Sequence, residues 1–238
     1  MSSWKKVLPG FLPFIVALGI MYAVSFTVGL CIVFWGLYNQ KETGIDALTI
    51  YEQSVGTLTI TATACMHVTY VAVFFLWFRK VRGTSSLELA PQKLRAKDWF
   101  ELICAGVLLQ IVISVLLSLL LPLFPQVQSD YEALLDSMEI GKGLLPLMLT
   151  GLIAPVGEEL IFRGVTMALL DGSLPFAFVN LMQAVLFGLY HMNVVQFCYA
   201  FVLGLCLGLI YHRYHNLKAC ILLHAAVNIS GNIFSLFG

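Results

Sequence analysis

The chain has 238 residues, of which 60% are hydrophobic and only 11% charged, and its mean hydropathy is +0.91. Soluble domains carry about 25% charged residues, so a water-soluble globular domain is excluded and an integral membrane protein is indicated. The formal net charge of +0 provides no basic surplus for nucleic acid and no acidic tail.

The first element begins in MSSWKKVLPGFLPFIVALG, which has the basic start of a signal peptide. Its uncharged run continues from Val7 through Gln40, well beyond an h-region of about 7–15 residues, and is read as a retained first span. Counting stretches of roughly 20 apolar residues predicts helices near 10–38, 54–78, 100–122, 143–170, 174–191, 195–212 and 217–236. The expected fold is all-α and polytopic, with about seven transmembrane helices. These runs are continuously apolar rather than alternating, which excludes a membrane β-barrel. From Gly172 to His212 there are 41 residues without Asp, Glu, Lys or Arg, enough for the fifth and sixth spans. Their connection, HMNVVQ, is uncharged as well, so an irregular turn at membrane depth is expected there, lining a polar cavity.

Cys31, Cys65, Cys104, Cys198, Cys206 and Cys220 all fall in apolar stretches without CxxC spacing, so neither a disulfide framework nor a zinc ribbon is expected. Lys5, Lys6, the segment FRKVRGTSSLELAPQKLRAKD with six Lys or Arg, and Arg213 with Lys218 share one side if seven spans alternate. The positive-inside rule makes that side, with the N-terminus, cytoplasmic. The opposite loops, NQKETGIDALTIYEQ and QVQSDYEALLDSMEIGK, hold Lys41 and Lys142 against seven acids. The stretch around Ala90-Pro91 is the one candidate division, and residues 1–238 are treated as a single membrane domain.

Ionisable groups inside a bilayer are costly and mark functional candidates. The clearest lie in GEELIFRG, whose Glu158 follows 15 residues without a charge after Lys142. Glu159 and Arg163, at i and i+4, share a helix face and can neutralise each other. Glu158 points about 100° away, the carboxylate without a local partner. FGLYH sets Phe187 and His191 one turn apart, and HAAVN does the same for His224 and Asn228. Each set could equally be a buried polar network or interhelical glue. Three of them in the final hundred residues, with nothing comparable in the first three spans, point to a site. His67, alone in TLTITATACMHVT, is read as a packing or hydrogen-bonding residue.

EELIFR at 158–163, FGLYH at 187–191 and HAAVN at 224–228 resemble, in order and spacing, the EExxxR, FxxxH and HxxxN motifs of the CPBP (CAAX protease and bacteriocin-processing, Abi) intramembrane proteases, relatives of the type II CAAX prenyl endopeptidases. The resemblance covers about residues 143–236, and spans within 1–122 carry none of it. It implies an intramembrane endopeptidase in a bacterial plasma membrane, acting on a peptide or protein that enters from membrane or cytoplasm. Glu158, His191, His224 and Asn228 would then be catalytic: Glu158 activates water, His191 shares that water, and His224 and Asn228 donate to the oxyanion. Glu159, Arg163 and Phe187 would support them. A metal version stands beside this one, because Glu158, His191 and His224 could supply a two-His, one-carboxylate zinc set. HExxH is absent, and no cofactor is favoured. The rival from another class is a non-catalytic immunity or scaffold protein that keeps the polar set as structure. A small transporter is weaker, since the polar residues occupy only the second half.

Overall fold

In hydrocarbon every backbone N–H and C=O must be satisfied within its own segment, so long apolar runs fold as helices. The computed structural model describes residues 4–82, 92–139 and 144–234, and these contain helices and turns but no strand. Eight helices are described: α1 Lys5–Thr43, α2 Ala47–Val81, α3 Ala96–Leu120, α4 Pro125–Glu139, α5 Leu144–Leu170, α6 Phe176–Tyr190, α7 Val194–Tyr214 and α8 Leu217–Phe234. Six of them, α1, α2, α3, α5, α7 and α8, are long and apolar enough to cross a membrane. The protein is an all-α polytopic membrane protein.

The fifth predicted span is the one that differs. α6 has 15 residues, about 22 Å at 1.5 Å per residue, against roughly 30 Å of hydrocarbon. It ends at Tyr190, and the uncharged connection shrinks to residues 191–193: His191 caps α6, Met192 turns with φ 54, and Asn193 caps α7 by accepting from the Gln196 N–H at 3.0 Å.

Both loops read from the sequence as outer connections are largely helical. α1 runs to Thr43 and α2 starts at Ala47, with Gly44 at φ 72 closing the first helix and the Asp46 carboxylate accepting the Leu48 N–H at 3.0 Å. The second loop holds α4, whose polar surface carries pairs such as Gln126 on Asp130 and Gln128 on Glu132. Helices continue beyond hydrocarbon because their hydrogen bonds are internal; charged residues mark where the apolar run stops, not where the helix does. Ala90-Pro91 lies outside the described residues.

Burial is uneven along the chain. Half of the most apolar 18-residue window of α5 and of α8 is buried, against 6% in α1. α1 instead turns Phe26, Phe34 and Trp35 outward, as a lipid-facing helix would. α6 packs on α7, α8 on α3 and α7, and α5 runs through the middle against α2, α1 and α8. The α6–α7 approach depends on Gly204 and Gly208, a small-xxx-small pair. A Cβ on Gly204 would meet Ala184 at 3.0 Å, and one on Gly208 would collide with the Asn180 carboxamide. Gly208→Leu should therefore force these helices apart and cost about 1–3 kcal/mol, read as a lower unfolding temperature in detergent. An unchanged temperature would show that the approach is not needed.

Candidate active site

α5 is not a uniform helix. Leu149–Ile153 and Leu160–Thr166 are π-helical and flank the α-helical turn Ala154–Glu159. Single π turns widen a helix, free carbonyls from the regular ladder and recur at functional sites. The freed groups are used here: the Thr150 carbonyl accepts from Asn228 Nδ2 at 3.0 Å, and Asn232 Nδ2 donates to Thr150 Oγ1 at 3.0 Å. These bonds tie α8 to α5 one turn beyond His224.

The two glutamates occupy different surroundings. Glu159 and Arg163 are both fully buried. Arg163 Nη1 donates to Glu159 Oε1 at 3.0 Å and Nη2 to the Gly204 carbonyl at 3.2 Å, while the guanidinium lies 4.6 Å over the Phe187 ring. Glu158 is 6% exposed and has no arginine partner among the described residues; its ion pair is with His224 Nε2, 3.6 Å from Oε2. That exceeds direct hydrogen-bond length.

His224, near the middle of α8 and 2% exposed, joins the two acids. Its Nδ1 lies 2.8 Å from Glu159 Oε1. Because the arginine keeps that oxygen an acceptor, Nδ1 carries a proton, and only Nε2 is left to face Glu158. Beyond its pairing with Arg163, Glu159 thus also sets the tautomer of His224.

His191 is half-buried, and its Nδ1 is 2.9 Å from the Phe187 carbonyl. A carbonyl can only accept, so Nδ1–H donates and Nε2 is an acceptor. The Phe187 ring stands edge-on to both imidazoles, 5.1 Å from His191 and 5.6 Å from His224. α6 is short, and its end brings His191 to the same ring that His224 of α8 meets. His224 and His191 thus gather around Phe187, with Glu158 beside His224. Asn228 lies one helical turn along, with one of its two amide protons already bound to Thr150.

A metal implied by the two-His, one-carboxylate alternative needs three ligands at bonding distance. Among the described residues no three His, Cys, Asp or Glu gather at such spacing. Both Nδ1 atoms are engaged, which leaves each Nε2 as the ring nitrogen open to an ion.

Several groups near the site escaped sequence reasoning. His67, on α2, is 5% exposed and its Nδ1 has no partner among the described residues. Its reading as a packing residue accounts for its edge contact with Tyr70 at 6.0 Å, but Glu158 also acts on it electrostatically. The Tyr70 hydroxyl donates to the Ala17 carbonyl at 2.9 Å and is hydrogen-bonded to Tyr190, which must then be the donor. Gln183 Nε2 donates to Asn180 Oδ1 at 2.7 Å and to the Gly204 carbonyl at 2.8 Å, the carbonyl that Arg163 also uses. GLCLG at 204–208 was the available signal for this last group. His67 and Tyr70 had none; α2 comes close to α5 beside them where Gly157 lacks a side chain, and a Cβ there would stand 3.2 Å from Tyr70 Cβ.

Residues 140–230 match a family model described as Type II CAAX prenyl endopeptidase Rce1-like. No curated protein and no solved structure matches the chain. The matched stretch holds EELIFR, FGLYH and HAAVN entire, and with them α5, α6, α7 and the part of α8 that carries His224 and Asn228. Over residues 140–230, somewhat more than a third of the chain, the protein is similar to the type II CAAX prenyl endopeptidase Rce1-like family.

Proposed function

We propose that this protein hydrolyses a peptide bond of a membrane-associated peptide or protein, with Glu158 as the base that activates water. The observation that carries the reading is His224 standing between two carboxylates, with Nδ1 on Glu159 and Nε2 3.6 Å from Glu158. A buried polar set is held near neutrality by its solvation cost. With Arg163 charged and Glu159 ionised, two proton arrangements are neutral: Glu158 ionised with His224 as imidazolium, or Glu158 protonated with His224 neutral. A proton can therefore move between His224 and Glu158 without a change in buried charge.

In the first arrangement, water held by Glu158 and the free Nε2 of His191 loses a proton to Glu158 and attacks the scissile carbonyl. The oxyanion receives hydrogen bonds from His224 Nε2–H and from the second amide proton of Asn228. Glu158 then delivers its proton to the leaving amine as the C–N bond breaks. Base catalysis of this kind contributes about 10²–10⁴-fold, and an oxyanion donor about 10²–10³-fold.

The competing reading is a non-catalytic immunity or scaffold protein. It draws on the same closed pairing of Arg163, Glu159 and His224, which would also hold helices together. Incubating purified protein with a proteome-derived library of membrane-associated peptides tests the two: cleavage by intact protein and none by Glu158→Gln supports the protease, whereas equal product from both overturns it.

On this mechanism hydrolysis survives exhaustive chelation, and elemental analysis finds well under one metal per chain. Loss of activity on chelation with recovery on added zinc would refute the Glu-and-His mechanism.

A further inference from the structure

Far from Glu158, at the end of the bundle where the basic residues collect, the end of α2, the segment before α3 and the turn between α7 and α8 enclose a cavity of about 460 Å³. Three cations line it, Arg82, Lys93 and Lys218, and no carboxylate among the described residues does. They come from separate parts of the chain, so their convergence is a product of the fold. The segment that carries Lys93 is anchored: the Gln92 N–H donates to the Tyr214 carbonyl at 3.0 Å, and Asn216 Nδ2 donates to the Gln92 carbonyl at 2.9 Å.

Like charges gathered without an acid repel one another unless an anion joins them. A second observation points the same way. His215, which also lines the cavity, adopts φ 47 and has a buried Nδ1 with no partner among the described residues. Phe78 and Trp99 add an aromatic part to the lining, with the Arg82 guanidinium 6.0 Å from the Phe78 ring centroid. Trp99 is 42% exposed and lies near the start of α3, where an interfacial tryptophan is expected.

We propose that this cavity binds a phosphate-bearing anion, with the cations on the phosphate and the aromatic part of the lining against the apolar part of an acyl-bearing molecule. Basic pockets between transmembrane helices suit anionic headgroups. A lipid headgroup and free phosphate share the chemistry that Arg82, Lys93 and Lys218 recognise. The inference is independent of any role for Glu158.

The full-length protein in neutral detergent is titrated separately with short-chain phosphatidylglycerol, short-chain phosphatidylcholine and inorganic phosphate. Phosphatidylglycerol should bind more tightly than phosphatidylcholine. Lys93→Gln with Lys218→Gln should weaken it roughly 30-fold, about fivefold per cation. Arg79→Gln with Lys80→Gln removes equal charge from the exposed end of α2 outside the cavity and should change binding less than threefold. Binding of either anionic probe that depends on Lys93 and Lys218 supports the site, and the tighter of the two identifies the source. Equal losses in both double variants, or no anionic probe that depends on Lys93 and Lys218, overturns the proposal. All four positions are exposed, so the folded state is retained and is checked by an unchanged unfolding temperature.

Discussion

Glu158→Gln is expected to reduce hydrolysis by about 10³-fold or more while leaving yield and unfolding temperature close to those of the unaltered chain. The amide keeps the volume and hydrogen-bonding reach of the acid but cannot accept the proton from water, so the loss falls on the chemical step. Folding should tolerate it because Glu158 has no arginine partner among the described residues and its pairing with His224 Nε2, at 3.6 Å, is long. Glu159→Gln should behave in the opposite sense. It removes the shared acceptor of Arg163 Nη1 at 3.0 Å and His224 Nδ1 at 2.8 Å, and leaves a cation buried without its counter-charge. Stability and yield should fall first, with activity lost in proportion to folded protein. Measured together, per-molecule turnover and thermal unfolding separate the two positions. Identical behaviour of both variants in both measurements would remove the distinction on which the mechanism rests.

The largest expected effect on stability belongs to Arg163→Met. The guanidinium is fully buried, bonded to Glu159 and to the Gly204 carbonyl, and lies over the Phe187 ring. Breaking a buried pair by removing one partner costs about 3–5 kcal/mol, because the other charge stays in the interior. That is a large share of the roughly 5–15 kcal/mol that holds a typical domain folded. Combining Arg163→Met with Glu159→Gln removes both charges and should recover part of the loss, a sign of direct coupling. The check is the unfolding temperature of the two single variants and the double variant in one detergent. If the double variant is no more stable than Arg163→Met alone, the arginine acts through Gly204 and Phe187 rather than through Glu159.

The helix assignment, the membrane class and the cluster of polar motifs were legible in the sequence because each rests on local information. A run of apolar residues long enough to span hydrocarbon has only one way to satisfy its backbone, so the six membrane-length helices lie where six of the seven counted spans were expected. Spacing of i to i+4 determines the pairing of Glu159 with Arg163 for the same reason: one helix turn brings the two side chains together regardless of what surrounds them. Tertiary structure alone decided which nitrogen of His224 meets which glutamate, because that depends on the rotation of α8 against α5, and the close approach of α2 at Gly157 that brings His67 into the field of Glu158. The uncharged HMNVVQ turn already marked the end of α6 near residue 191, and what tertiary structure added is the packing of Phe187 against two imidazoles and under Arg163. Local patterns in a sequence record which surfaces must leave water; the angle and depth at which those surfaces meet arise from contacts between residues far apart in the chain, and no single segment encodes them.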